Sequence, residues 1–409
     1  MNSKKALRGK RSLKNISWRL VLVFAVVVTA IIYILPSFKP ALWPHKQINL
    51  GLDLQGGMHL VLEVDTSKAV ESTTERISQE IREQLKKERI RHVSVDRIEG
   101  SRISIEVKKE ESIDKLKALL DDEFRDLREI SRTEAGGSFA IVMDIPDSDR
   151  DQIKKLAVDQ ALETIRNRID QFGVAEPDIR RQGQKRILIQ LPGISETQRA
   201  KDLIGKTALL EFKLVDDTQS VEAAVKGTVP PGRELLYQVE EDPQTRRTIK
   251  TPFLLRKRSL LTGASLTDAR VQIDSQFNEP YVSINFDKKG ARIFERITGD
   301  NVNKRLAIVL DNSVYSAPVI QEKIAGGQAR ITGRFSTEEA RDLAIVLRAG
   351  ALPAPVNILE ERTVGPSLGA DSIRKGLMSM VIGGLLVIVF MIIYYKMAGL
   401  IADIALFLN

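Results

Sequence analysis

Two uncharged apolar runs, Leu20–Leu35 and Gly376–Tyr395, set the terms on which this chain can fold. A bilayer-crossing helix needs about 20 apolar residues without charge. The first run is short alone, but Ile16, Trp18, Tyr33 and Phe38 extend it with interface-suited residues, giving a span over 16–38. It ends in Pro36-Ser37-Phe38-Lys39-Pro40, with no Ala-x-Ala nearby, which argues for an uncleaved anchor over a signal peptide. The 1–19 tail carries Lys4, Lys5, Arg8, Lys10, Arg11, Lys14 and Arg19 and no acid. Such a tail stays in the cytoplasm, so the residues after the span are exported. Arg374 and Lys375 pull the other way beside the second span (376–395), and the seven tail residues outweigh them. Those seven supply most of the net charge of +8. The basic balance is therefore a topology signal and not a nucleic-acid footprint. A third apolar run, 399–409, begins a further span that the sequence leaves truncated.

Roughly 340 residues lie between the two spans, more than one domain's worth. Within them Leu50–Val64 alternates strictly, with Leu50, Leu52, Leu54, Gly56, Met58, Leu60, Leu62 and Val64 on one parity. The pattern predicts one strand of roughly 49 Å, bent or closely approached at Gly56-Gly57 and serving two neighbouring sheets. A helical stripe follows (Val70, Ile77, Ile81, Leu85), capped by Thr66 or Ser67. A hairpin turning at Glu99-Gly100, a second stripe (Leu116, Leu119, Leu120, Phe124) and a strand at Leu127–Ser131 complete a βαββαβ order. The order repeats: strand Phe139–Ile145, helix Asp147–Phe172 with Leu156, Ile165, Ile169 and Phe172 inward, hairpin Asp178–Leu191, a Ser195-capped helix, and strand Ala208–Val215. A shift of 84 residues lays Ile103, Ile105 and Val107 on Ile187, Ile189 and Leu191. Two tandem ferredoxin-like units are expected, at about 50–133 and 138–215, forming a base over 46–216.

Asp216–Pro252 is polar and reads as a long excursion. Leu254–Gly333 has its own order: a hairpin (Arg270–Gln276, Tyr281–Asp287), a helix near Ala291–Ile297, strands at Arg305–Leu310 and Val314–Ile320, and a last strand, Ala329–Thr332, introduced by Gly326-Gly327. With the excursion it makes an inserted lobe over 217–335. Ser336–Glu339 is a capping box whose helix runs to Arg348 and ends at Gly350, before Pro353 and Pro355. Strand Val356–Val364 leads back toward the second span, so 336–373 returns to the base. The fold class is thus α+β, a tandem ferredoxin-like base with an inserted α+β head, carried on transmembrane helices.

Chemistry is sparse. There is no HExxH or Walker A, no cysteine, and His45, His59 and His92 show no ligand spacing. No catalytic, metal or cofactor site is expected. Asp121, Asp122 and Glu123 read as a solvated helix end. Arg180, Arg181, Lys185 and Arg186 cluster on one hairpin, either as a soluble edge or as a contact for lipid headgroups or a partner. Asp403 is a carboxylate in an apolar run, within a turn of the interface at Gly399.

Three stretches carry a resemblance. LGLDLQGG (from Leu50), RNRIDQFGVAEPDIRRQGQKRILIQLPG (Arg166–Gly193) and LRAGALPAPVNILEERTVGPSLGADSI (Leu347–Ile373) resemble, in order, the motifs of the SecD family of the bacterial Sec export machinery. The matching motif positions include Gly51, Asp53, Gly56, Gly57, Arg348, Gly350, Pro353, Gly365, Pro366 and Gly369. The resemblance implies a multi-pass inner-membrane subunit with a cytoplasmic N-terminus and a large periplasmic domain. It implies work with SecF beside the SecYEG channel, drawing unfolded preprotein outward after SecA has acted, on the proton gradient. In that family a mobile head is thought to hold preprotein, and the proton-carrying residue sits in a later span. Phe277 and Tyr281 are candidate preprotein contacts, with packing in the lobe's own core as the other reading, and Gly326-Gly327 is a candidate hinge. Two other classes stay open: a resistance-nodulation-division transporter, favoured by a substrate-sized cleft between the tandem units, and a passive anchored chaperone or scaffold.

Overall fold

The computed structural model describes residues 52–408 except 91, 109, 136, 137, 175, 242–247, 277 and 334, together with scattered residues between 18 and 32. It divides into two compact units, 58–363 and the flanking segments 1–57 with 364–409.

In the flanking unit, the described residues of the first run, among them Trp18, Phe24 and Val26, are helical and exposed. The rest of that span lies outside the described residues. Helix α1 (Leu52–Gln55) is a single turn, closed by the Gly56 N–H donating to the Leu52 carbonyl at 2.9 Å. This corrects the expectation of one long strand from Leu50. Four residues are too short for alternation to establish a strand, and the two glycines set the chain's course. Gly56 and Gly57 sit at φ 74° and 133°, outside the usual range of residues with a Cβ, and turn the chain out of the helix into strand β1 (Gly57–Val64). Gly57→Val should therefore cost about 1–3 kcal/mol. Thermal unfolding of the full chain checks it; an unchanged melting curve with export intact would make the pair incidental.

Beyond Gly365, whose successor Pro366 is pre-set for a first helical position, a long helix runs over Pro366–Tyr395. Its Ile373–Tyr395 portion has mean hydropathy 2.7 and is long and apolar enough to cross a membrane, alone in this among the described residues. A further helix, Met397–Leu408, follows directly. Any side chain at Gly399 would collide with the Met391 carbonyl, so the two backbones meet there.

The larger unit follows the expected element order but not the expected sheets. After β1 come α2 (Thr66–Lys87), β2 (His92–Arg97), β3 (Arg102–Val107), α3 (Glu110–Glu123), β4 (Arg128–Ala135), β5 (Ser138–Asp144), α4 (Asp147–Phe172), β6 (Asp178–Gln182), β7 (Arg186–Pro192), α5 (Thr197–Gly205) and β8 (Leu210–Leu214). In two tandem units β1 would join β2–β4, and β5 would join β6–β8. Instead the strand orders are β2-β3-β5-β4 and β17-β1-β7-β6, with β17 covering Val356–Val364. The leading strands have changed places. β4 and β5 pair with Ala135 opposite Ser138, so only Gly136-Gly137 separates them, and a local hairpin wins over a distant partner.

Met58, Leu60, Leu62 and Val64 face inward as the parity predicts, against α4 and against Ile187, Ile189 and Leu191. On α4 the inward apolar face is Ala157, Val158, Ala161, Ile165 and Ile169. Leu156, expected inside, is 49% exposed. Helix α2 serves both sheets, Ala69 packing on the sheet that holds β1 and Ile81 and Leu85 on the sheet β2-β3-β5-β4. Its cap is Asp65, whose carboxylate accepts from the Ser67 and Lys68 N–H groups at 3.2 Å, not the expected Thr66 or Ser67.

The head is larger than its sequence suggests. The polar excursion contains α6 (Val221–Val225) and a ladder of two nine-residue strands, β9 (Arg233–Glu241) and β10 (Thr248–Arg256). Its apolar residues Tyr237, Val239 and Ile249 are exposed. With β11 (Leu261–Thr262), β14 (Leu306–Leu310) and β15 (Ser313–Ser316) it forms a six-stranded sheet, β10-β9-β15-β14-β8-β11. Strand β8 thus belongs to the head and not to the base, paired antiparallel to β14. A second sheet, β12-β13-β16, spans Leu266–Ile273, Pro280–Phe286 and Gln328–Ile331. Helix α7 (Lys288–Asp300) and helix α8 (Thr337–Ala349) complete the lobe. Phe212, Phe286 and Phe294 meet at centroid distances of 5.0–5.9 Å in a core that also takes Ala340, Leu343, Ala344 and Leu347 of α8. Helix α8, expected to return to the base, is therefore part of the head.

Candidate functional site

Two passes of chain join the sheet β17-β1-β7-β6 to the head: 206–209 outward and 350–355 back. They are tied to each other by the Leu352 N–H donating to the Thr207 carbonyl at 2.8 Å. One side chain holds both. Arg168, on the last turns of α4, is fully buried. Its guanidinium donates to the carbonyls of Leu203 (2.8 Å), Ile204 (3.3 Å), Lys206, Thr207 (3.5 Å) and Gly350 (3.0 Å). The first of these are end carbonyls of α5, which a cation satisfies well. Burial pulls the Arg168 pKa down to about 10, partly offset by the charge of Asp311, so it stays cationic at neutral pH.

Around this clamp the backbone is constrained. Gly350 sits at φ 91° and Ala208 at φ 59°. Asp311 and Asn312 form the two-residue turn between β14 and β15 with φ 50° and 62°. The Asp311 carboxylate accepts from the N–H groups of Ala208 and Leu209, both at 2.9 Å. A second tie joins α5 to α8: Arg199 donates to Asp342 through Nε (3.0 Å to each oxygen) and Nη2 (2.7 Å). Arg199 also donates to Glu196 at 2.8 Å and lies over the Phe172 ring at 5.4 Å. Its hydrogen bonds to Asp342 and then to Glu196 raise its pKa further. Phe172 packs against both the base core and the head core.

Beside the clamp lies a cleft of about 390 Å³ inside the head, between α8 and the β9–β15 side of the large sheet. Its walls include Val239, Tyr315, Phe335, Leu343 and Val346. The Tyr315 and Phe335 rings stand 6.2 Å apart, and burial, then Asp311 and Glu339, keeps the tyrosine hydroxyl protonated. Lys206, Glu339 and Asp342 supply the charge. Apolar walls with a few polar groups at this volume suit a side chain or a short extended segment.

The residues singled out in the sequence fall elsewhere or on the rim. Gly51 and Phe277 lie outside the described residues, as does the Asp53 side chain. Gly56, Gly57, Gly365, Pro366 and Gly369 shape the turns and helix starts of the flanking segments. Arg348 pins the end of α8 to β12, donating to Asp268 (3.1 Å) and the Ala269 carbonyl, and Gly350 and Pro353 lie on the return pass. Tyr281 is not core. It stands half-exposed on the outer face of the small sheet, donating to Gln272 at 2.6 Å, with Arg330 over its ring at 5.0 Å. Gly326 is exposed and Gly327 is buried. A Cβ on Gly327 would come within 2.5 Å of that of Ala291, which marks close packing against α7. The basic hairpin is partly self-satisfied, Arg181 pairing with Asp159 at 2.9 Å. The Val64 N–H donates to the Lys185 carbonyl, so this hairpin lies at the end of β1 away from Gly57. Arg168, Arg199, Asp342, Tyr315 and Phe335 were not anticipated.

Comparison with known proteins bears on what this junction serves. The SecD/SecF GG motif matches residues 41–68, the N-terminal part of the SecDF P1 domain matches 158–217, and the SecDF P1 head subdomain matches 234–354. Protein translocase subunit SecD of Syntrophobacter fumaroxidans is 48% identical over 405 residues, covering 97% of this chain and 76% of the relative. The chain belongs to the SecD family. SecD of Calditerrivibrio nitroreducens is likewise 48% identical, over 393 residues, with 96% of this chain and 74% of the relative covered. A crystal structure of SecDF in the super-membrane-facing form is 31% identical and covers 96% of this chain and 41% of that one, with a TM-score of 0.47. This SecD-family chain is accordingly an accessory subunit of the Sec protein translocase, and the transporter alternative is set aside. The cleft also lies within the head and not between the two base sheets.

Proposed function

We propose that this chain assists the late, proton-gradient-dependent export of unfolded preprotein, together with SecF and the SecYEG channel and downstream of SecA. In this reading it is a multi-pass inner-membrane protein with its N-terminus in the cytoplasm, on the strength of the seven basic residues of its tail. The two four-stranded sheets serve as the base, and the body from β8 to α8 serves as the head. The observation that carries the reading is the head cleft, with Tyr315 and Phe335 on its wall and the base–head clamp directly beside it. Unfolded chain offers scattered apolar side chains, so a useful grip is small and weak enough to release. A photo-crosslinking residue at Phe335 in full-length protein should capture a translocation-arrested preprotein in membrane vesicles. The same residue at exposed Leu156 on the base should not. Equal capture at both positions, or none at Phe335, would refute the cleft as the holding site.

A further inference from the structure

The cleft and the tie between base and head share one carboxylate. Asp342 lines the cleft and is also the residue that Arg199 holds with three contacts between 2.7 and 3.0 Å. The pair is only partly screened from solvent, with 25% and 20% of the two side chains exposed, so Asp342 can be reached from the cleft side. Arg199 does not depend on Asp342 alone, because Glu196 and the Phe172 ring remain to it. Releasing Asp342 therefore leaves no uncompensated cation, and exchange of its partner is inexpensive. Within the cleft Glu339 adds a second carboxylate one turn from Asp342, against the single ammonium of Lys206.

We propose that the cleft accepts a basic side chain of an extended polypeptide at Asp342, in competition with Arg199, so that filling the cleft loosens the α5–α8 tie between base and head. This rests on the cleft being the holding site and adds both a preference and a coupling. A basic residue in the cleft and a closed tie are alternatives, and their linkage is reciprocal. Arg168 keeps both chain passes gripped throughout, so loosening the tie changes the head's freedom without undoing the junction.

The test uses the full chain in nanodiscs and two unstructured peptides, alike except that a central lysine in one is norleucine in the other. The lysine peptide should bind the native protein more tightly. Arg199→Gln should tighten the lysine peptide roughly tenfold, the worth of a charge-assisted contact, and leave the norleucine peptide unchanged. Asp342→Asn should abolish the preference. The cysteine-free sequence permits spin labels at Leu156→Cys in the base and Ile273→Cys in the head. Their distance distribution should broaden when the lysine peptide saturates and not with its norleucine partner. Unchanged affinities in Arg199→Gln, or an unchanged distribution at saturation, overturn the coupling while the cleft reading stands. Binding of neither peptide, or binding indifferent to Phe335→Ala, overturns both.

Discussion

Arg168→Met should destabilise the 58–363 unit by about 3–5 kcal/mol, because several buried carbonyls would lose their donor at roughly 1–3 kcal/mol each. Methionine fills much of the volume, so the loss reports hydrogen bonding more than a cavity. Carbonyls of Leu203, Lys206, Thr207 and Gly350 would lose a cationic donor where water has little access. Arg168→Lys should recover only a fraction, because one ammonium cannot reproduce a planar fork spanning both chain passes. Denaturant unfolding of the full chain measures both variants. A cost under about 1 kcal/mol for the methionine would mean that the two passes are held by their own packing.

Gly327→Ala should cost the head about 2–4 kcal/mol, whereas Gly326→Ala should cost about 1 kcal/mol. Both glycines are left-handed, at φ 70° and 90°. They differ in what a new methyl would meet: Ala291 Cβ at 2.5 Å for Gly327, open space for Gly326. Backbone strain is thus common to both, and the collision belongs to one. A hinge at this pair would predict the opposite pattern, similar small stability losses with altered export. Urea unfolding followed by labels confined to the head separates the two outcomes, and equal costs would favour the hinge.

Much of the architecture was legible because local signals are local. The parity of Met58–Val64, the capping box at Ser336 and the βαββαβ order all reappear. Sheet membership was not legible. The two units carry the same pattern 84 residues apart, so either leading strand fits either sheet, and the short sequence separation of β4 and β5, with Ala135 opposite Ser138, decides. The site was harder still. Its one sequence trace is Arg168 on the stripe Ala161, Ile165, Arg168, Ile169, Phe172, where an apolar face should continue. A cation at such a position asks for acceptors that only tertiary structure supplies. Tyr315, Phe335 and Asp342 are ordinary residues on ordinary elements, brought together only by the tertiary packing of α8 on the large sheet.

The exchanged strands also set an order of assembly. The sheet β2-β3-β5-β4 is contiguous in sequence, from His92 to Asp144, and can close as soon as that stretch is free. The sheet holding β1 cannot. Its neighbours are β7 and β17, so a strand that begins at Gly57 has no partner until Pro192 has emerged and keeps one edge open until Val364 has. Nascent chain therefore passes through a stage with one finished module and one open strand edge. That edge is where a helper protein, or a misfolded dimer, would first take hold.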